Sequence, residues 1–450
     1  MVTLIGLVRL LRAVPFWRPR VLRVLWVQGL TLGALVRVAA LKNPGGVALV
    51  DEDGSLTYAE LDRLVDEAEV RGARVHVREP NHRSFVVAVA AALRRNADVV
   101  LHEPTTTLVE PDEPGPRSTR RRGQIILLTS GSTGVPKEVE RGGVRIAQSL
   151  PIATLLGVLP VRGPVVLTVP LFHGFGLGFL ALGLAFGVPV VLWRKVDADA
   201  VAGFLQDHPG CVLVGVPPVL ARIARSERPA RPAALISGAG QLHPVVAERL
   251  RTAYGDVVHN LYGSSEEGWS TIATPTDLRT APGTIGRPAA GVRVAILDDA
   301  GNRVPDGETG HLCVAGRLEF QQYGDGGRRR RLGGMSDSGD LGHRDAGGRF
   351  FVDGRADDMV VTGGENVFPA EVENVLLDHP AVAEVCVGGV PDEEYGTRLE
   401  ATVVRNAELT AEELIAWTRA RLPTAKVPRT VRFAAELPAT ASGKYRRRVT

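Results

Sequence analysis

The feature that most constrains the fold is an alternation of short apolar runs with helical stretches between residues 126 and 260. The apolar runs are "IILLTS", "PVVLTVP", "PVVLW", "CVLVGVP", "ALISG" and "VVHNLYG", and helical stretches such as "PVVAERLRTAY" lie between them. Strands that alternate with helices are typical of an α/β fold, because each helix carries the chain back across a largely parallel sheet. We therefore predict a large α/β domain in this part of the chain.

The pattern changes twice further along the chain. Residues 283–355 contain short strands punctuated by glycine, which predicts an antiparallel or barrel-like subdomain. After "DGRADD", helical and strand-like runs start again and predict a small α+β unit. Because a chain of 450 residues is too long to fold around one small hydrophobic core, we expect two domains or more. They are a basic apolar arm (1–42), a large domain (43–356) that includes the barrel-like part, and a small mobile C-terminal domain (357–450).

Composition excludes some classes of function. A net charge of +3 on 450 residues gives no reason to expect a nucleic-acid partner. The three cysteines, Cys211, Cys313 and Cys386, are widely spaced and odd in number, so neither a disulfide framework nor a metal cluster is indicated. Together with the lack of a secretory signal, this predicts a cytoplasmic protein.

One stretch has the length of a membrane span. Residues 163–193 carry no formal charge, and an uncharged apolar stretch of this length is a candidate transmembrane helix. However, Pro164, Pro170, Pro189 and several glycines interrupt the stretch. It is better explained as a strand, a glycine-rich turn, a short helix and a second strand in a buried parallel sheet.

The arm, residues 1–42, has seven basic residues, two tryptophans and no acid. Its arginines interrupt every apolar run before membrane-spanning length, and Pro15 and Pro19 predict two short helices. The composition is that of a helix lying on a membrane surface, which would place the protein at the inner membrane face. A helical arm packed on the protein's own body is the alternative, and the sequence does not decide between them.

The strongest local signal is "ILLTSGSTGVPKEVE" at residues 126–140, where an apolar strand leads into a Ser/Thr/Gly loop and Pro136-Lys137. Glycines let backbone N–H groups converge on an anion, hydroxyls add donors and the lysine adds charge, so the loop suits a polyphosphate. It is not a Walker P-loop, since Lys137 does not directly follow the second glycine.

With this loop, the sequence resembles the adenylate-forming superfamily of acyl-CoA synthetases, peptide-synthetase adenylation domains and luciferases. Four further motifs follow in the family's order: "YGSSEEG" (262–268), "SGDLGHRDAGGRFFVDGRADD" (338–358), "GGENVFPAEVE" (363–373) and "LPATASGKYRR" (437–447). The family usually has a longer segment before the phosphate loop. Here that segment looks compressed, which bears on the acyl entrance more than on the nucleotide chemistry.

The resemblance implies an ATP- and AMP-binding set. Its members are Thr129, Ser130, Gly131, Ser132, Thr133, Gly134, Lys137, Gly238, Ala239, Tyr262, Gly263, Ser265, Asp340 and Arg355. Tyr262 would stack on adenine, Asp340 would accept both ribose hydroxyls, and Ser265, which replaces the family's threonine, would donate to the α-phosphate. Glu266 would hold Mg²⁺, a hard cation that takes one or two carboxylates plus substrate phosphates.

The resemblance also implies an acyl site and a moving domain. The acyl pocket would be lined by His173, Gly174, Gly178 and Gly286, with His173 near the substrate carboxylate and counted among the catalytic residues. Asp357 occupies the family's hinge position, and the CoA-binding loop would consist of Gly363, Gly364, Glu365 and Asn366.

Lys444 is one of only five lysines among 53 basic residues, and it follows the flexible pair Ser442-Gly443. Taken alone, it could be a solvated tail residue. The resemblance implies that it is the catalytic lysine that bridges the substrate carboxylate and the ATP α-phosphate, offsetting charge as one anion attacks another.

The resemblance implies an AMP-forming acid–thiol ligase of the fatty acyl-CoA synthetase type, which uses ATP, Mg²⁺ and CoA. The acid would first form acyl-AMP and then a CoA thioester, with rotation about Asp357 between the two reactions. Two alternatives remain open. One is a fatty acyl-AMP ligase that delivers to a separate carrier protein, and the other is a non-catalytic relative that binds nucleotide or lipid.

Overall fold

The computed structural model of the chain describes residues 1–105, 123–129, 137–141, 149–226, 228–264, 266–316, 329–362, 364–392 and 396–438. The helices in these ranges are α1 (Val2–Ala13), α2 (Pro19–Gln28), α3 (Leu32–Lys42), α4 (Tyr58–Glu67), α5 (Arg83–Arg94), α6 (Ser149–Val158), α7 (Gly174–Phe186), α8 (Ala198–Asp207), α9 (Pro217–Ala224), α10 (Pro244–Tyr254), α11 (Pro275–Thr280), α12 (Pro369–Leu377) and α13 (Ala411–Arg419).

The strands in the described ranges fall into four sheets. They are β1 (Val47–Asp51), β2 (Gly54–Thr57), β3 (Arg74–Val77), β4 (Asp98–Leu101), β5 (Ile125–Thr129), β6 (Lys137–Arg141), β7 (Val165–Leu167), β8 (Val190–Val191), β9 (Val212–Gly215), β10 (Ala234–Gly238), β11 (Val258–Ser264), β12 (Gly268–Ala273), β13 (Thr284–Pro288), β14 (Val292–Leu297), β15 (Gly310–Gly316), β16 (Arg331–Leu332), β17 (Met335–Arg344), β18 (Phe350–Arg355), β19 (Val360–Thr362), β20 (Glu365–Val367), β21 (Val382–Asp392), β22 (Gly396–Arg405) and β23 (Thr430–Phe433).

The centre of the molecule is a parallel sheet in which β1, β8, β7, β9, β10 and β11 are hydrogen-bonded in that order. Every residue of β9 and β10 is buried. Strands buried on both faces need apolar side chains throughout, which explains why these segments appear as continuous apolar runs in the sequence. The predicted α/β fold is confirmed.

The same sheet continues as an antiparallel section. β11 pairs with β12 and β12 with β13, and from there β18, β17, β15 and β14 follow in antiparallel pairs. This antiparallel subdomain runs from Thr284 to Arg355, where the glycine-punctuated strands predicted it. A separate sheet holds β3, β4 and β5 in parallel, with β6 antiparallel to β5.

The C-terminal part forms its own small α+β unit. In it β21 pairs antiparallel with β22, and β23 lies parallel to β22. It rests on the large part through arginine side chains. Arg249 Nη2 donates to the carbonyls of Leu377 and Val382, and Arg225 Nη2 donates to that of Ala383. A small C-terminal domain is therefore present, while its mobility and the domain boundaries remain predictions.

Residues 163–193 form β7, α7 and β8, as the prolines and glycines predicted. Phe179, Leu180 and Leu184 of α7 are fully buried in the protein core. Within the described ranges, the helices are all too short or too polar to cross a membrane.

The arm consists of three helices instead of the two that were predicted. The second break comes at Gly29 to Thr31, where Thr31 Oγ1 caps α3 by accepting from the Ala34 amide. α1 lies on α6, where Arg9 Nη1 donates to the carbonyls of Leu156 (2.6 Å) and Leu159 (2.9 Å). The close approach of these helices requires glycine, because a Cβ on Gly6 would lie 1.6 Å from the Ala153 carbonyl oxygen.

Candidate functional site: a nucleotide cleft beside an apolar cavity

Tyr262, Asp340 and Arg355 meet where β11, β17 and β18 come together. Asp340 lies directly opposite Arg355 across the β17–β18 pair. Tyr262 Oη donates to Asp340 Oδ2 at 2.6 Å, and Arg355 Nη1 donates to Asp340 Oδ1 at 3.4 Å. The structure thus brings together three of the residues predicted to bind the adenosine, from segments far apart in the sequence.

The electrostatics of this group are set by burial. Burial raises the pKa of Asp340, and this effect outweighs the Tyr262 hydrogen bond and the positive charges of Arg355 and Arg329. Burial and the nearby carboxylates of Asp340 and Glu267 raise the pKa of Tyr262 well above its ordinary value. Tyr262 therefore stays a neutral donor, and the Asp340 carboxylate keeps further lone pairs for hydroxyl donors.

Close packing requires glycine at two of the predicted nucleotide-binding positions. A Cβ on Gly238, at the end of β10, would lie 2.8 Å from the Phe175 ring, and one on Gly263 would lie 1.9 Å from the Gly268 carbonyl oxygen. The next residue, Ala239, has a φ of +58°, a left-handed backbone conformation that residues other than glycine rarely adopt. At these predicted positions the backbone is therefore constrained by close packing within the protein itself.

Glu266 and Glu267 lie in the turn between β11 and β12. Both backbone amides donate to Ser264 Oγ, at 3.2 and 3.1 Å. The Glu267 side chain is fully buried and accepts from Arg329 Nη1 at 2.6 Å, whereas Glu266 Oε2 lies 3.9 Å from Arg329 Nη2. A single carboxylate, Glu266, beside a phosphate-bearing substrate fits the usual ligand set of Mg²⁺. Arg329 and the role of Glu267 were missed from the sequence.

An apolar cavity of about 390 Å³ lies beside Ala239 and Gly263, two of the residues predicted to bind the nucleotide. Three of the four predicted acyl-pocket residues, His173, Gly174 and Gly178, line it, as do Ala239 and Gly263. A Cβ on Gly178 would lie 2.8 Å from Trp269 Cζ2, so the absence of a side chain there leaves room for the indole. Gly286 is not among the lining residues. It lies in β13 with φ of +84°, where a Cβ would lie 2.0 Å from the Ile272 carbonyl oxygen.

The residues predicted to form the hinge and the CoA-binding loop follow β18 in the chain. Asp357 accepts from Arg355 Nε at 3.0 Å, two residues beyond the group that holds Asp340. Gly364, Glu365 and Asn366 are exposed at the β19–β20 hairpin, where Thr362 pairs with Glu365. These positions are compatible with the predicted roles without testing them.

Part of the predicted site lies outside the described residues. These residues are Ser130, Gly131, Ser132, Thr133, Gly134, Ser265, Gly363 and Lys444, and the side chains of Thr129 and Lys137 are likewise not described. Thr129 and Lys137, which flank the segment predicted to bind phosphate, are paired across β5 and β6.

Asp51, Asp53 and His82, which lie at the end of β1 and just before α5, form a cluster of potential metal ligands. His82 Nε2 is 2.8 Å from Asp53 Oδ2, and Arg194 Nη2 approaches the same ring nitrogen at 2.9 Å. Arg83 Nε also donates to both oxygens of Asp51. Two guanidinium groups inside the cluster neutralise the acids, so we interpret it as an ion-pair network.

Comparison with known proteins identifies the family. Residues 101–323 match the AMP-binding enzyme family, and residues 371–444 match the AMP-binding enzyme C-terminal domain. An indoleacetate–CoA ligase of Aromatoleum aromaticum is 32% identical over 374 residues, which cover 80% of this chain and 71% of that protein. The chain belongs to the AMP-binding enzyme family.

Other AMP-binding enzymes extend the match. A feruloyl-CoA synthase of an Amycolatopsis species is 30% identical, covering 89% of this chain and 82% of that protein. The solved o-succinylbenzoate-CoA synthetase of Bacillus subtilis, in complex with its acyl-adenylate intermediate, has a TM-score of 0.76 at 24% identity and covers 92% of this chain and 96% of that one; this likeness shows the fold. The predicted superfamily and enzyme class, an AMP-forming acid–CoA ligase, are confirmed. The substrates in the names of these relatives are acids other than fatty acids.

Proposed function

We propose that this AMP-binding enzyme activates an apolar, fatty-type monocarboxylic acid with Mg²⁺-ATP and transfers the acyl group to CoA. The products are acyl-CoA, AMP and pyrophosphate. The observation that carries the choice of acid is the lining of the cavity beside Ala239 and Gly263.

This lining has no charged side chain among the residues that the structure describes. Its polar side chains are Thr31, His173 and Ser264, and the others are aliphatic, aromatic or glycine. A second charged group on the substrate would be buried without a partner, which costs several kcal/mol. The cavity therefore favours acids whose carboxylate is their sole charge, in contrast to the sulfoacetate and 2-succinylbenzoate named for two groups of relatives.

In the first half-reaction, the carboxylate oxygen attacks the α-phosphorus of ATP and pyrophosphate leaves. Asp340 would accept the ribose hydroxyls, with Arg355 holding its other oxygen, and Tyr262 would present its ring to adenine. Lys444 would offset the charge that builds up between the two anions. Glu266 would hold Mg²⁺, which neutralises phosphate charge when it is bound.

In the second half-reaction, the CoA thiol attacks the acyl carbon and AMP leaves. We assign the switch between the reactions to rotation about Asp357, which would exchange Lys444 for the loop that contains Gly364, Glu365 and Asn366. Such hinge motions are a common way for one site to run two reactions. A separate carrier protein as acceptor, in place of CoA, is the competing proposal.

The test is a panel of acids assayed with ATP, Mg²⁺ and CoA, with acyl-CoA detected by mass spectrometry. Hexanoate and dodecanoate should be converted with higher kcat/KM than sulfoacetate or 2-succinylbenzoate, with indoleacetate as the aromatic comparison. Preference for either doubly charged acid would overturn the choice of acid. Acyl-AMP that accumulates and is not passed to CoA would instead favour the carrier protein.

For location, we propose a cytoplasmic enzyme that contacts the inner membrane face peripherally through residues 1–42. The support is the basic, acid-free composition of this arm and the apolar surface it leaves exposed. Fatty acids partition into bilayers, so such contact would bring the enzyme to its substrate.

A further inference from the structure

The outer face of the arm is apolar. Among the described residues, every large apolar side chain that is markedly exposed lies in residues 1–41 or at Leu150 of α6, with the exception of Val361. Leu4, Val8 and Leu11 form a stripe along the side of α1 that faces away from α6, and Leu22 and Trp26 form a similar pair on α2. Trp17 and Trp26 are 66% and 81% exposed. Contiguous apolar surface of this kind marks an interaction site.

The charge around this face indicates what it contacts. Arg12, Arg18, Arg20 and Arg23 are exposed beside it, and residues 1–42 contain no acid to balance them. A second copy of the chain would bring the same positive charge against itself. An anionic lipid surface offers both the apolar layer and the opposite charge, so it is the partner that fits.

The inner face of the same arm forms a wall of the cavity. Leu10 of α1 lines the cavity while its neighbour Leu11 is 41% exposed on the outer face. Val14, Leu32 and Leu35 extend this wall. A helix with its side chains is about 10 Å across, so only one layer of helix separates the outer surface from the cavity.

We infer that the arm is a lipid-docking element through which the acyl chain of a bilayer-borne acid reaches the cavity. The outer face lies in the headgroup region of an anionic bilayer, and the acyl chain crosses the single helix layer between that face and the cavity. The docking is argued from the exposed apolar and basic side chains of the arm alone, whereas the transfer of the acyl chain rests on the proposed function.

Docking is tested by flotation of the full chain with vesicles of phosphatidylcholine alone or with an equimolar share of phosphatidylglycerol. The wild type should float with the anionic vesicles, and Trp17 and Trp26 fluorescence should shift to the blue. Arg20→Gln with Arg23→Gln should bind about thirty-fold more weakly, at roughly 1 kcal/mol for each basic side chain. Trp26→Ser should bind more weakly in high salt as well, because it removes apolar contact.

The matched control is Arg162→Gln with Arg231→Gln, two exposed arginines outside the arm, which should bind as the wild type does. Docking is overturned if the wild type stays unbound at low salt, or if this control loses binding to the same extent. A concentration-dependent dimer that persists at low salt and buries Trp26 would also overturn it.

Transfer is tested with dodecanoate carried in anionic vesicles against hexanoate in solution. The arm variants should lose activity about ten-fold or more on the vesicle-borne acid and keep it on the soluble acid. Equal effects on both acids, or on neither, would contradict transfer through the arm. If the wild type activates no acid at all, the proposed function fails, and flotation with tryptophan fluorescence still decides the docking.

Discussion

Tyr262 and Asp340 are joined by a 2.6 Å hydrogen bond from the tyrosine hydroxyl to Oδ2, which ties the end of β11 to β17 across 78 positions of sequence. The bond orients the carboxylate before any ligand arrives. It leaves Oδ1, toward which Arg355 also points, with lone pairs for a further donor. A preoriented, buried acid is what recognition of two adjacent hydroxyls requires.

We expect Asp340→Asn to weaken ATP binding about ten- to a hundred-fold, because hydrogen bonds to a charged group contribute about 1.5–3 kcal/mol each. Isothermal titration calorimetry with ATP and Mg²⁺ measures this. Tyr262→Phe is the matched control, since it keeps the ring and the carboxylate and removes only the orienting hydroxyl, and its effect should be several-fold at most. Equal losses in both variants would mean that Asp340 acts through Tyr262 alone.

The raised pKa of Asp340 makes the same substitution stabilising. Because its pKa is higher in the folded chain than in the unfolded chain, stability is fully present below the unfolded pKa and is lost as pH rises through the folded pKa. Asp340→Asn removes that loss, so its Tm at neutral pH should exceed the wild-type Tm, with the difference shrinking toward about pH 4. Thermal melts across pH would contradict this if the difference is constant.

Glu266 and Glu267 should behave differently although they are neighbours. Glu266→Gln keeps the size but loses the anionic ligand, so we expect a higher Mg²⁺ requirement for activity, partial rescue by added Mg²⁺ and an unchanged Tm. Glu267→Gln breaks the pair between the fully buried Glu267 carboxylate and the largely buried Arg329, so it should cost about 3 kcal/mol in the free energy of unfolding. Mg²⁺ titrations and denaturant melts of both variants separate the roles. Unchanged metal dependence in Glu266→Gln would show that it is no ligand.

Ala181 lies on the cavity-facing side of α7, where a larger side chain takes the place of the substrate chain. The series Ala181→Val and Ala181→Phe should lower kcat/KM for dodecanoate progressively, by about ten-fold or more for phenylalanine, while hexanoate changes little. Each lost methylene contact in an apolar pocket contributes about 1 kcal/mol or more. A uniform loss for both acids would indicate damage to the fold, which Tm measurements would reveal.

Much of the fold follows from local sequence rules. Thr57 and Glu60, three residues apart at the start of α4, form a capping box, with Thr57 Oγ1 accepting from the Glu60 amide and the Glu60 carboxylate accepting from the Thr57 amide. The prolines of residues 163–193 correctly indicated a buried strand–helix–strand segment. These features depend on residues close together in the chain, which is why one sequence reveals them.

What the sequence did not show depends on distant neighbours. Arg329 reaches Glu267 across 62 positions, and no spacing rule links them. The glycines that let α1 approach α6, Gly6 and Gly157, are unremarkable in the sequence, because their role appears only when the helices cross. The motif assigns Gly286 to a wall of the acyl pocket, but its positive φ and the Ile272 carbonyl oxygen, 2.0 Å from where a Cβ would lie, are a local backbone reason for glycine that the motif does not show.

The most direct measurement follows the oxygen of the substrate. With the acid labelled by heavy oxygen in its carboxylate, attack on the α-phosphorus puts one labelled oxygen into AMP after complete turnover with CoA, and mass spectrometry detects it. Lys444→Ala should slow this labelling about a hundred-fold or more while still allowing thioester formation from supplied acyl-AMP. AMP that carries one label from the acid is the result we predict. Unlabelled AMP, or ADP and phosphate as products, would contradict adenylate formation by this chain.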